Sequence, residues 1–410
     1  KKAEDEIVYE AEHFSVIAVG YVNEVTENVL YVSAKGDDKS GDGSIDNPYA
    51  TLAGAVNSFN ENETDYTIYV MSNIDATSSA RFWGKNVTIT SYGNEVYTIT
   101  RQKGFSRTID TGRGGYNGAI LEVQSGSELI LKNIILDDAH KREAEFFEEQ
   151  DTGAGVKGNE NRVQSAIIEA SGDGGGTIIL DEGSVLKNFG GMSAVRIGGQ
   201  FNAGGTYSSL IMKEGSKIID DSAGEERAGG FAAVWNQGGY FEMENGSEIS
   251  GLTGRAVFLE NGGHALINGN IGDITPTINM KDTDGIRANN SNGVPGIAIV
   301  AKENSYATLG ETGTIKSITG NHLGDEVISL SGSSFTMEYG SVISDIGISC
   351  LMYSNGARSY INGRIENCNS DNVLFRIRGG EGSFDLQEKG IITESTTTDV
   401  GIFYVDGDMV

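Results

Sequence analysis

One phrase recurs along the chain and limits what it can fold into: an alternating apolar strand, an acidic residue, a glycine turn, then a second short strand. It reads TIILDEGSVLKN, LIMKEGSKIIDD, YFEMENGSEISG, ALINGNIGDI, TLGETGTIKSI, FTMEYGSVISD, SYINGRIENC and FDLQEKGIITES. The pivots are Gly183, Gly215, Gly246, Gly269, Gly313, Gly340, Gly363 and Gly390, in steps of 32, 31, 23, 44, 27, 23 and 27 residues. A unit of this size with short strands cannot bury its own apolar face and must stack on its neighbours. That predicts an all-β solenoid in which each unit is one coil.

Composition agrees. The 58 glycines and only three prolines among 410 residues suit many tight turns between short strands. The formal charge of −28 repels nucleic acid and anionic lipid, which are excluded as partners. No stretch approaches the length of apolar sequence that spans a bilayer, so no membrane insertion is expected within this chain. The chain starts KKAEDE, with neither Met nor a signal peptide, and is expected to be a fragment of a longer precursor. Cys350 and Cys368 form one bridge or pack as buried thiols, the latter being the expectation. His13, His140, His264 and His322 form no ligand pair, and no metal site or cofactor is expected. The oxygen-rich turns 36–46 and 282–285 have a composition that suits Ca²⁺ but lack the spacing of an EF-hand, and read better as solvated loops.

A third strand aligns on the same pivots. Eleven residues back from four of them stand Trp235, Phe258, Ser329 and Met352, with Arg196, Phe375 and Tyr404 as weaker matches. The preceding residue is apolar every time, so it points into the core. Strand side chains alternate between faces, which turns the column Arg196, Trp235, Phe258, Met352, Phe375 and Tyr404 outward as a candidate ligand-binding stripe. A one-residue slip at Phe375 would put Arg376 in the column instead.

Residues 1–29 carry little pattern and read as a linker or partial first strand; residues 30–410 form the solenoid domain. Thr51, Leu52, Ala55, Val56 and Phe59 have helical spacing, and a helix there would cap the open end. Loop insertions are expected at 137–163, 221–230 and 274–296.

The opening YVSAKGDDKSGDGSIDNPYATLAGAV resembles the N-terminal cap of the pectin-lyase-like superfamily of single-stranded right-handed parallel β-helices. The remainder, with RGGYNGAILEV, NFGGMSAVRIGG and TMEYGSVIS, resembles large surface proteins of Gram-positive gut Firmicutes. The resemblance implies the fold over residues 30–410 and an extracellular place, attached to the cell wall through other parts of the precursor. It does not imply one activity, since the superfamily holds lyases, hydrolases and non-enzymatic adhesins. Of the hydrolase signatures, N-T-D, G-H-G and R-I-K are all absent, and FRIRGG is a partial echo.

The nearest paired carboxylates are Asp137 with Asp138 and Asp220 with Asp221, each closing a strand and opening an inserted loop. They are the candidate catalytic acids, since glycosidic hydrolysis needs two carboxyl groups about 5–10 Å apart. Bacterial lacto-N-biosidases, a β-helix family of similar character, use two nearby aspartates; Asp399 and Asp406 have the closest spacing here, but on an extended strand they would stand far apart. Three functions follow: a surface adhesin that binds a glycan or host glycoprotein through the stripe, a glycoside hydrolase on host or dietary glycans, and a structural stalk.

Overall fold

Alternation of apolar and polar residues in each repeat drives one face of every strand inward, and the coils stack so that like columns superimpose. In the computed structural model the chain is a parallel β-helix. The structure describes residues 28–410 except 107, 111–114, 125, 140–165, 171–174, 190–192, 202–203, 221–231, 253, 276–295, 321–325, 380–381 and 407–410, together with two short strands, Lys2–Ala3 and Glu6–Ile7. The bodies of the three expected insertions, and Asp221 with them, lie outside the described residues.

Each coil contributes three strands. The first strands form one sheet of 12, and the second and third strands together form a continuous sheet of 21. Leu210, Phe241, Ala265, Ala307 and Phe335 pair in register on successive coils of the first sheet, and all point into the core. A β-helix of this kind buries a thin, continuous apolar column in which each residue touches its equivalents above and below.

The glycine pivots are the turn between first and second strands. Ser184, Ser216 and Ser247, each directly after a pivot, donate a 2.6 Å hydrogen bond to the carbonyl three residues back and so close the turn. A sharper bend separates the second strand from the third. There Asn188, Asp273, Ser317, Asp345, Asn367 and Glu394, aligned by the strand register, all have positive φ near 50°. One left-handed residue turns the chain without interrupting the ladder, so Val342–Asn355 and Arg364–Arg378 run as single bent strands through both faces.

Helix Leu52–Asn57 closes one end. Thr51 caps it by accepting from Gly54 N at 3.0 Å, and Leu52, Ala55 and Val56 join the core, as the spacing predicts. Asp38 accepts from the backbone of Ala50 and Thr51, while Asp37 and Asp42 accept from the N–H groups of their own turns. These carboxylates therefore shape the 36–46 loop, and hydrogen bonds hold those of Asp37 and Asp42 below the usual range. On Gly401–Asp406, the last described strand, the inward-pattern residues Phe403 and Val405 are 48% and 44% exposed.

Cys350 and Cys368 are both free and buried. Burial pushes each thiol up to about 12. Neither is expected to react with iodoacetamide at mildly alkaline pH in the folded protein, whereas both should be labelled after unfolding; mass spectrometry of the two samples checks this.

Candidate functional site

The third-strand column exists, and strand pairing fixes its members as Arg81, Glu122, Glu169, Arg196, Trp235, Phe258, Val300, Ser329, Tyr353, Arg376 and Tyr404. Met352 and Phe375, expected outside, are 1% and 0% exposed in the core. At Met352 the cause is turn length: Asn362-Gly363 is one residue shorter than Glu244-Asn245-Gly246, so counting back from the pivot slips by one, and a slip of one exchanges the faces of a strand. Phe375 stands one residue off the column, whose place Arg376 takes.

The column also differs from a free binding stripe in its exposure. Trp235 is 4% exposed and Phe258 1%, forming with Ala232 and Val300 a small apolar cluster separate from the main core. They lie outside the solenoid bore and are nonetheless shielded from solvent, so the expectation of an open aromatic stripe fails at its centre; Tyr404, on the last described strand, is 40% exposed. Around the cluster runs a polar chain. Arg196 reaches Glu169 at 3.4 Å, donates to Gln237 at 2.9 Å, and lies over the Trp235 ring at 4.6 Å. Glu260 accepts from Trp235 Nε1 and from Gln237, both at 2.9 Å. Arg81 pairs with Glu122 one coil beyond Glu169. Burial pushes the Glu122 carboxyl up against the pull of Arg81, and the charge of Glu169 adds to the rise.

Every buried charged side chain among the described residues belongs to this side of the molecule. Glu122, Glu169, Arg255, Glu260 and Glu326 stand on third strands, Asp138 and Asp220 close second strands, and Arg101 pairs with Asp138. The candidate acids are already engaged. Asp138 is held by Arg101, while Asp137 faces Lys187 at 3.5 Å, Asn188 Nδ2 at 3.1 Å and the N–H of Ala139 at 2.7 Å. Asp220 is buried. Asp406 pairs with Arg378 at 2.7 Å in solvent, at the far end of the strand that follows Asp399.

The accessible rings lie elsewhere, on the outer face of the first sheet. Tyr240, His264 and Tyr306 are in-register partners on three successive coils. Phe201, entering from the preceding turn, stacks on Tyr240 and His264 at 5.3 Å each, and Tyr207 meets it edge-on at 4.8 Å. Tyr207 and Tyr306 are 41% and 46% exposed. The Tyr240 hydroxyl donates to Glu242 at 3.0 Å, and burial together with that bond pushes it up to about 12. Burial pulls His264 down, which favours the neutral imidazole in the stack. Further along the same sheet a groove of about 580 Å³ is lined by Glu311, Glu338, Tyr339, Tyr360, Asn362 and Gln387. No group of three or more metal-ligating side chains occurs among the described residues.

No protein-family model matches the chain, and no curated protein matches it. Among solved structures it is similar to the GH136 lacto-N-biosidase from Eubacterium ramulus. The selenomethionine derivative gives 13% identity and a TM-score of 0.49, the native protein 12% and 0.48; each match covers 92% of this chain and 68% of that one. A third similar structure is described as L. reuters 100-23 SRRP, with 10% identity and a TM-score of 0.36 over 87% of this chain and 97% of that one. The parallel β-helix stands on the strand pairing itself.

Proposed function

We propose that this is a secreted or cell-surface protein of pectin-lyase-like architecture that binds a neutral glycan along the outer face of its first sheet. The observation that carries the reading is the row Phe201, Tyr240, His264 and Tyr306, partly open to solvent on consecutive coils. Rings stack on the C–H faces of sugars, and the Tyr240, His264 and Tyr306 rings follow one another at 5.7 and 6.1 Å, a spacing suited to successive units of a linear chain. Glu242, beside Tyr240, supplies an acceptor for sugar hydroxyls. The charge of −28 selects against sialylated or sulfated chains.

A glycan array followed by calorimetry tests this. Neutral oligosaccharides are expected to bind, and Tyr306→Ala should weaken the best of them at least several-fold without changing the melting temperature. Binding that is indifferent to Tyr306→Ala and Tyr207→Ala together would remove the row from the function.

A second reading, hydrolysis of a glycosidic bond, is favoured by one pair. Glu122 and Glu169 are in-register neighbours on adjacent coils, whose strands stand about 4.8 Å apart; both are buried and paired with Arg81 and Arg196, so a substrate would reach them only if the groups over them moved aside. Turnover of any bound oligosaccharide that vanishes in Glu169→Gln would establish it, and binding without turnover leaves the adhesin reading alone.

A further inference from the structure

The groove at Tyr339 and Tyr360 has a chemistry of its own, independent of the aromatic row. Two carboxylates, Glu311 and Glu338, and two tyrosine rings line it, and both rings are open to solvent at 57% and 37%. Thr336 and Tyr360 are in-register partners on adjacent coils, which fixes the floor of the groove as the outer face of the first sheet. Glu311 and Glu338 leave it from the turns that follow the strands Tyr306–Leu309 and Ser334–Met337.

One cation is already there. The Lys389 ammonium lies 4.4 Å from the centroid of the Tyr339 ring, and its backbone N–H is tied to Asn362 Oδ1 at 3.1 Å. An ammonium over a tyrosine face is attracted by the ring quadrupole, and nearby carboxylates add to that attraction. Ring and acid together form the kind of wall that recognises organic ammonium groups.

We infer that this groove is a binding site for a small ligand bearing an organic ammonium, either an amino sugar or a choline-type headgroup. The ammonium lies between the Tyr339 and Tyr360 rings with Glu311 and Glu338 as counter-charges, and Asn362 and Gln387 take hydrogen bonds from the rest of the ligand. Lys389 competes for the same ring as an internal cation, so the site is weak in the native chain and is tuned by that residue.

The test is a titration of the full chain, by calorimetry, with choline, glucosamine at a pH that keeps its amine protonated, and N-acetylglucosamine. Choline or glucosamine is expected to bind and N-acetylglucosamine, which keeps the ring and loses the charge, is not; which of the two saturates identifies the source of the ammonium. Tyr339→Ala and Glu338→Gln should weaken binding several-fold, and raised salt should weaken it further. Lys389→Ala should strengthen it, a gain that a damaged fold cannot mimic. Equal binding of glucosamine and N-acetylglucosamine, no binding of either cation, or a Lys389→Ala variant no tighter than the native chain would each overturn the inference. Tyr306→Ala, which tests the aromatic row, should leave these titrations unchanged.

Discussion

Arg101→Ala is expected to lower the free energy of unfolding by about 3–5 kcal/mol, the cost of leaving a buried charge uncompensated. Arg101 is 3% exposed and sits on the Phe105 ring at 4.5 Å. Its guanidinium pairs with Asp138 and donates to the carbonyls of Gly118 and of Ala166, the latter at 3.1 Å. Those contacts join two adjacent coils at the bend before the third strands. Truncation takes the guanidinium away from a buried carboxylate and from two carbonyls, and each lost hydrogen bond adds to the cost. The double variant Arg101→Met with Asp138→Leu should recover most of the loss, because removing both charges removes their desolvation as well. Urea denaturation of the three proteins measures this. The same comparison assigns Asp138 to stability: if the double variant folds and keeps ligand binding, the carboxyl has no role in function.

The second large effect joins the fold to the aromatic row. Gly238 has φ of +88°, and a Cβ placed on it would stand 2.2 Å from the carbonyl oxygen of Gly199 and 3.0 Å from that of Asn261. Gly238→Ala therefore combines a left-handed backbone, at about 1–3 kcal/mol, with a contact that only a backbone shift can relieve. Its carbonyl also accepts from the N–H of Phe201 at 2.8 Å. The shift should carry Phe201 away from Tyr240 and His264, so the variant is expected both to melt earlier and to lose glycan affinity. Gly332→Ala is the control: φ is +54° but the space around it is open, so strain alone should appear, with the row intact. Thermal unfolding and calorimetry on the pair separate local strain from displacement of the ring.

Much of the coil was legible because its turns are chemical punctuation. The glycine pivots, the serines behind them and the capping spacing of Thr51 to Val56 are local features, and local features survive in a sequence read alone. The outward column could be followed at Arg196, Trp235 and Phe258 for the same reason; it slipped at Tyr353, where the turn Asn362-Gly363 is one residue shorter, and was left between Phe375 and Arg376 in the next coil. Its burial was not legible: alternation says which way Trp235 points, not whether anything lies over it. The first-sheet row was missed because its rings stand at unequal distances from the pivots, six residues before Gly246 for Tyr240, five before Gly269 for His264 and seven before Gly313 for Tyr306. Phe201 joins from a turn that no periodicity predicts. Aligning first strands by their inward residues, such as Phe241, Ala265 and Ala307, would have exposed the row.

The stacking of the coils has a mechanical consequence. Hydrogen bonds between coils run along the long axis, so tension applied to the two ends opens them a coil at a time instead of shearing many at once. Each coil of roughly 27 residues that lets go exchanges about 4.8 Å of stacked height for about 90 Å of loose chain. Under load such a stack behaves as a yielding tether that pays out slack in steps of one coil.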